Sequence, residues 1–133
     1  MNTKENLVTP HFKWSEFACK NGAAVPEHLK YNVRMLAGTL EALRLHFREP
    51  IIINSAYRTP AYNASVGGAI NSYHLQAKAV DIRVKNVSPS VVHDTIANLM
   101  LLKLIPAGAV ILYPTFVHYD QRGTIMKLYS SKQ

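Results

Sequence analysis

Two histidines and two aspartates lie in short apolar segments of this chain, where ionisable side chains are uncommon. His74 and Asp81 are close together in sequence, and His118 and Asp120 follow near the C-terminus. The chain has only three aspartates, and two of them lie in these two segments. Imidazole and carboxylate are zinc ligands, and a catalytic zinc takes three from the protein and leaves a position for water. These residue types therefore indicate a candidate metal-dependent hydrolase.

The spacing is compatible with a single metal site built on a sheet. A loop holding His74, followed by a strand from Ala79, brings Asp81 back to the same metal. In that strand the neighbours of Asp81 point to the opposite face, towards the core. His118 would lie on an adjacent strand. The residues alone leave a second interpretation open, in which both histidines are buried structural groups and Asp81 is their acceptor.

The elements that must position these residues follow from hydrophobic periodicity and from proline. Apolar residues at three- and four-residue spacing predict a long amphipathic helix that opens at Val25-Pro26-Glu27 and ends before Pro50. Ser88-Pro89 marks the start of a second helix. The sequence also predicts a helical turn at 14–18, a buried strand at 51–53, and strands at 79–84, 108–113 and 116–119. This order predicts a compact α+β domain with a mostly antiparallel sheet packed by helices.

Composition limits the organisation of the chain. With 133 residues, 48% hydrophobic and 17% charged, we expect a single globular domain over 1–133, with its core at about 11–129. Cys19 is the only cysteine, which excludes an internal disulfide. We see no secretory signal and no apolar run long enough to span a membrane, so we expect a cytoplasmic protein.

The net charge of +7 suggests an anionic partner. Nucleic acid is the first class to consider, but the basic residues are scattered singly and no nucleic-acid motif is present. We therefore expect no specific nucleic-acid partner. A solvated basic surface, or affinity for an anionic bacterial cell wall, accounts equally well for the charge.

Several ordered motifs give the chain a family resemblance. Ser72-x-His74-x-x-Ala77-x-Ala79-x-Asp81 resembles the first zinc motif of the zinc D-Ala-D-Ala peptidases, Ser-x-His-x-x-Gly-x-Ala-x-Asp. Phe116-Val117-His118 is similar to the segment that carries their third ligand, and the segments 54–60 and 63–69 are similar to their arginine-containing loop. The resemblance runs from His11 to Gly123 and is strongest to the small phage and bacterial branch. It implies the compact α+β fold shared with the hedgehog signalling domain.

The resemblance also implies an activity and a ligand set. It implies Zn²⁺ held by His74, Asp81 and His118, and hydrolysis of peptidoglycan stem peptides by a carboxypeptidase or an endopeptidase. Arg58 would lie beside the zinc and hold the substrate carbonyl or oxyanion. Release to the cell wall or association with a virion would suit a phage-type enzyme. The alternative is a non-catalytic domain of the same fold, stabilised by zinc, that binds cell wall or protein.

The general base and the substrate-binding residues are less directly indicated. Many family members place an acid three residues before the last histidine, where this chain has Thr115. Asp120 is the available carboxylate, either as base or as a partner that orients His118. We expect Tyr57, Tyr113 and Ser72 to contact substrate, although core packing for a tyrosine and turn capping for the serine remain alternatives.

Two positions depart from the family pattern, and four histidines lack metal partners. Ala77 replaces a glycine, which adds a side chain where the backbone needs freedom or close approach. Ile111 stands where members often have glycine, and it either fills the sheet or narrows the cleft.

We predict structural roles, exposed or half-buried, for the remaining histidines, which are His11, His28, His46 and His93.

Overall fold

A five-stranded mixed sheet organises the fold, and the computed structural model describes residues 6–130. The strands are β1 Leu7–Thr9, β2 Phe12–Lys13, β3 Ile51–Ser55, β4 Ala79–Val84, β5 Ala109–Leu112, β6 Val117–Asp120 and β7 Met126–Tyr129. The helices are α1 Trp14–Phe17, α2 Lys30–Phe47, α3 Pro60–Ser65 and α4 Pro89–Leu101. The 3₁₀ turns Glu27–Leu29 and Tyr73–Gln76 precede α2 and β4. The predicted compact α+β domain is confirmed.

The two long helices begin and end where local chemistry requires. Ser88 caps α4 by accepting a hydrogen bond from the backbone N–H of Val91, and Pro89 occupies the first turn. Helix α2 ends at Arg48, whose φ of 57° turns the chain into the left-handed region ahead of Pro50. The predicted opening at Pro26 is a 3₁₀ turn, and the α-helix itself starts at Lys30.

The main sheet has the order β3-β4-β6-β5-β7. Neighbouring strands are antiparallel, except that β7 lies parallel to β5. The register forms one row across four strands, from Ser55 through Asp81 and His118 to Ile111. Side chains in such a row share one face of the sheet. The row brings Asp81 next to His118 without any help from a loop.

The core lies on the opposite face of the same strands. Val80 and Ile82 flank Asp81 and are fully buried, as the alternation of a strand predicts. Tyr119, between His118 and Asp120, is also fully buried, and its hydroxyl donates to the carbonyl of Pro106. Helix α4 packs against β4, β5 and β6, and α2 packs against β1 and β4. The central strands therefore carry ionisable groups on one face and the core on the other.

Some local predictions need correction. Strand β3 is not buried throughout, because Ile52 lies on the face opposite to Ile51 and Ile53, beside the exposed Arg83, and is 38% exposed. Strand β7 and the β1–β2 pair were not predicted. Strands β5 and β6 form an antiparallel hairpin, closed by the bond from the Tyr113 N–H to the Phe116 carbonyl. Over residues 6–130, no helix is both long enough and apolar enough to cross a membrane.

Candidate metal centre

His74 is held in one orientation by its own turn and by the strand before it. The side-chain oxygen of Ser72 accepts a hydrogen bond from the His74 N–H, which caps the 3₁₀ turn. The Nδ1 of His74 lies 2.6 Å from the carbonyl oxygen of Ala56. A carbonyl can only accept, so Nδ1 carries a proton, and in the neutral imidazole Nε2 is then the nitrogen with the lone pair. His74 is 2% exposed, and its Nε2 points towards Asp81.

His118 has the complementary arrangement. Its Nε2 lies 2.8 Å from Oδ2 of Asp120, so Nε2–H is the donor to that carboxylate. Its Nδ1 lies 3.1 Å from Oδ1 of Asp81, and Nε2 of His74 lies 3.2 Å from the same oxygen. His74, Asp81 and His118 form a trio in which one ligand atom from each residue lies within 4.8 Å of the other two. Within residues 6–130, this trio is the only group of three histidine, cysteine or acidic residues arranged to hold a metal.

The electrostatics of this trio favour a cation. Burial alone would raise the pKa of Asp81, but hydrogen bonds with His118 and His74 outweigh it and hold that pKa well below its usual range. Burial would lower the pKa of His118, and hydrogen bonds with Asp120 and Asp81 raise it instead. Both outer nitrogens have their own acceptors, so loss of the protons shared with Asp81 would leave three lone pairs on neighbouring ligand atoms. Such a donor set fits a zinc ion, whose charge would replace the proton shared between imidazole and carboxylate.

Asp120 lies behind His118 and is fully buried. Its Oδ1 accepts from the N–H of Ala109 at 3.0 Å, and both oxygens accept from Arg122. Burial would raise the pKa of Asp120, but hydrogen bonds with His118 and Arg122 hold it well below its ordinary value. The carboxylate does not line the cleft. Its placement therefore favours the orienting role over the general base.

Arg58 lies at the side of the trio and is fixed by three side chains. Its Nε donates to Oγ of Ser55, Nη1 to Oδ1 of Asn63 at 3.1 Å, and Nη2 to Oδ2 of Asp81 at 3.2 Å. Each terminal nitrogen carries a second hydrogen that these bonds do not use. Arg58 lines a cleft of about 430 Å³ that passes over the trio. The guanidinium is thus positioned to donate to an oxygen bound in the cleft.

The remaining predicted contacts are distributed between cleft and core. Tyr113 lines the cleft and stacks on Phe116, with ring centroids 4.5 Å apart. Ser72 lines the cleft and also caps the turn before His74. Tyr57 is 9% exposed and belongs to the core cluster, so the substrate-contact role predicted for it is not supported. The Tyr57 N–H donates a hydrogen bond to the Phe17 carbonyl, which holds this segment against α1. The Tyr57 ring does not line the cleft.

The departures from the family pattern have physical consequences here. Ala77 has φ 54°, so this position does adopt the left-handed conformation that glycine accommodates most easily. Ile111 lines the cleft beside its cross-strand partner His118, which supports narrowing of the cleft over simple filling of the sheet. Thr115 is exposed and does not line the cleft. Among the described residues that line the cleft, Asp81 is the one carboxylate.

Among the histidines outside the trio, the exposure predicted for His93 needs correction. His28 and His46 are exposed, and His11 pairs with Glu41 at 2.7 Å. His93 was expected to be exposed or half-buried, but it is 1% exposed. Its Nε2 lies 2.8 Å from the Leu128 carbonyl and 3.2 Å from that of Val110, because α4 packs directly over β5.

Two residues around the site were missed by sequence reasoning. Asn63 is buried, accepts from Arg58 and donates to the Ala69 carbonyl. Arg122 pairs with Asp120 and was not singled out. Part of the signal for Arg122 was available, since His118 and Asp120 alternate along β6 and Arg122 follows two residues later. Asn63 was considered only as part of the segment 63–69, although its partners Arg58 and Ala69 lie five and six residues away in the chain.

The fold and this trio define a class of site, in which two histidines and one carboxylate on a mixed sheet could hold a metal ion. A family model described as Peptidase M15 matches residues 10–120, and the chain belongs to this family of zinc D-Ala-D-Ala carboxypeptidase-like proteins. The match includes His74, Asp81 and His118, and it ends at Asp120. The resemblance found in the sequence is thereby confirmed. No curated protein matches the chain significantly.

Proposed function

We propose that this protein is a zinc-dependent peptidase that hydrolyses peptidoglycan stem peptides, as a carboxypeptidase or an endopeptidase. The observation that carries the proposal is the convergence of two fixed imidazole nitrogens and one ionised carboxylate at the floor of an open cleft. His74, Asp81 and His118 would hold the metal. A zinc ion there supplies Lewis-acid activation of the scissile carbonyl and of the attacking water.

The protein's own groups would orient the peptide around that centre. Arg58 has one unused N–H on each terminal nitrogen, and these can donate to the charge that develops on the carbonyl oxygen. Its position is preorganised, because Ser55, Asn63 and Asp81 hold the guanidinium before substrate arrives. Tyr113 and Phe116 form an apolar wall against which the peptide can pack.

One observation favours a second candidate, a non-catalytic zinc-stabilised domain that binds cell wall or protein. The cleft-lining carboxylate among the described residues is Asp81, a metal ligand already bonded to Arg58. Asp120 is buried behind His118. A proton acceptor for the attacking water would then have to be a ligand carboxylate oxygen or a group supplied by the substrate.

Hydrolysis of purified peptidoglycan by zinc-loaded protein tests the proposal. We expect mass spectrometry of the digest to reveal either released D-alanine or cleaved cross-links, which also distinguishes a carboxypeptidase from an endopeptidase. The variant His74→Ala, and parent protein stripped with a chelator, serve as controls and should be inactive. Parent protein that holds one zinc, binds peptidoglycan and cleaves nothing would favour the non-catalytic alternative.

A further inference from the structure

Arg122 forms an ion pair with Asp120 next to the metal trio, although Arg122 is not itself a proposed ligand. Its Nε lies 2.9 Å from Oδ1 of Asp120, and its Nη2 lies 2.7 Å from Oδ2. This is a two-pronged guanidinium–carboxylate pair, the geometry that fixes both partners most strongly. The carboxylate is fully buried and the arginine side chain is 25% exposed. Arg122 lies just past the residues that match the family model.

The Arg122 guanidinium also contacts Tyr73, in the 3₁₀ turn that carries His74. The guanidinium carbon lies 4.5 Å from the centre of the Tyr73 ring, a cation–π distance. Tyr73 directly precedes His74 in the 3₁₀ turn. Arg122 therefore contacts the neighbour of one histidine and, through Asp120, the ring of the other.

The hydrogen bonds to Asp120 explain how this contact reaches His118. Oδ1 of Asp120 accepts from the Ala109 N–H and from the backbone N–H and Nε of Arg122. With Oδ1 held by three donors, Oδ2 is turned towards Nε2 of His118 at 2.8 Å. That bond makes Nε2 the protonated nitrogen and directs Nδ1 to the metal position.

We propose that Arg122 is a positioning residue that fixes His118 through Asp120 and sets the spacing of the two histidines through Tyr73. The proposal rests on the metal site of the proposed function, but not on hydrolysis. Replacing Arg122 leaves the Asp120 carboxylate with the Ala109 and residue-122 backbone donors and His118, and removes the two donors of the arginine side chain. The orientation of His118 then loosens, and the metal is held less tightly.

The experiment compares the metal site of Arg122→Met with that of the parent and of Arg83→Met. Arg83 is an exposed arginine on β4 that donates to Asn54 and does not line the cleft. The zinc dissociation constant is measured by competition with a chromophoric chelator, and the ligand geometry by the visible spectrum of the cobalt-substituted protein. For Arg122→Met we expect zinc binding about 10–100-fold weaker and an altered cobalt spectrum. Arg83→Met should match the parent in both.

Two milder variants separate positioning from a general loss of folding. Arg122→Lys keeps the charge but not the two-pronged pair, and Tyr73→Leu removes only the ring contact. We expect each to weaken zinc binding less than Arg122→Met, and Tyr73→Leu to have no further effect once Arg122 is methionine. If Arg122→Met does not fold, parental affinity and spectrum in both milder variants overturn the proposal.

The outcomes also distinguish this inference from the proposed function. Parental zinc affinity and an unchanged cobalt spectrum in folded Arg122→Met would overturn the positioning role, whatever the peptidase activity. Lower stability of that variant without metal, with unchanged zinc affinity, would make the arginine merely structural and overturns it too. A parent that binds zinc and cleaves nothing overturns the peptidase proposal and leaves this one intact. A parent that binds neither zinc nor cobalt overturns both.

Discussion

Asp81 on β4 and His118 on β6 are direct cross-strand partners, and Oδ1 of Asp81 lies 3.1 Å from Nδ1 of His118. The pairing of two central strands thus sets the distance between two of the three proposed ligands. His74 reaches the same oxygen from the turn that leads into β4. Because the site exists only when the sheet is formed, metal binding and folding should be linked.

The first prediction concerns this linkage. Saturating zinc should raise the free energy of unfolding of the parent by about 2.7 kcal/mol when free zinc is 100 times its dissociation constant. The double variant His74→Ala, His118→Ala should bind no zinc and gain no such stability. Metal content by mass spectrometry and unfolding in denaturant, with and without zinc, measure both effects. His28→Ala removes an exposed histidine and is the control. Stoichiometric zinc in the double variant would contradict the ligand assignment.

The second prediction concerns Arg58, which faces the cleft beside the trio. Arg58→Ala should reduce kcat/KM by about 10²–10³, because one preorganised donor to a developing negative charge is worth that much. The variant should still hold one zinc, since Arg58 is not a ligand. Steady-state hydrolysis and metal content provide the measurements, with Arg44→Ala on α2 as an arginine control. Full activity in Arg58→Ala would assign Arg58 a structural role.

The third prediction distinguishes the two roles considered for Asp120. Its burial behind His118 leads us to expect that Asp120→Asn weakens zinc affinity by about 10–100-fold. Excess zinc should then restore activity. Zinc titration and hydrolysis at several zinc concentrations measure the two quantities together. Normal zinc affinity with turnover reduced by about 10²–10⁴ would instead identify Asp120 as the proton acceptor.

The fourth prediction compares two glycines in different surroundings. A Cβ at Gly68 would overlap Oδ1 of Asn63 and lie 3.0 Å from Nη1 of Arg58, so Gly68→Ala must displace the pair that orients Arg58. We expect reduced hydrolysis with zinc content unchanged. Gly38 lies on an exposed part of α2 with no atom within 4 Å of its Cβ position. Gly38→Ala should keep activity and add about 0.5–1 kcal/mol to the free energy of unfolding.

A parental rate of hydrolysis in Gly68→Ala would mean that the Asn63–Arg58 bond has no part in turnover. A lower free energy of unfolding in Gly38→Ala would contradict the prediction that α2 has room for a methyl group at position 38. Both variants are compared by thermal unfolding without metal, so that a general loss of structure is separated from a local one.

The sequence by itself determined the features that depend on neighbouring residues. The spacing of Leu36, Leu40 and Leu43 predicted α2, because a helix brings residues three and four apart onto one face. Ser88-Pro89 predicted the start of α4, because capping uses groups within one turn. The candidate ligands were found because their types and local motifs carry the chemistry of zinc.

Only the tertiary structure decided features that depend on distant segments. Asp120 could be a base or an orienting partner until the fold enclosed it between His118, Arg122 and the backbone of Ala109. Tyr57 could have faced the cleft, but its segment packs against α1 and places the ring in the core. The parallel pairing of β7 with β5 also joins separate segments. Local periodicity contains no information on such contacts, because they form only when packing and hydrogen bonding bring the segments together.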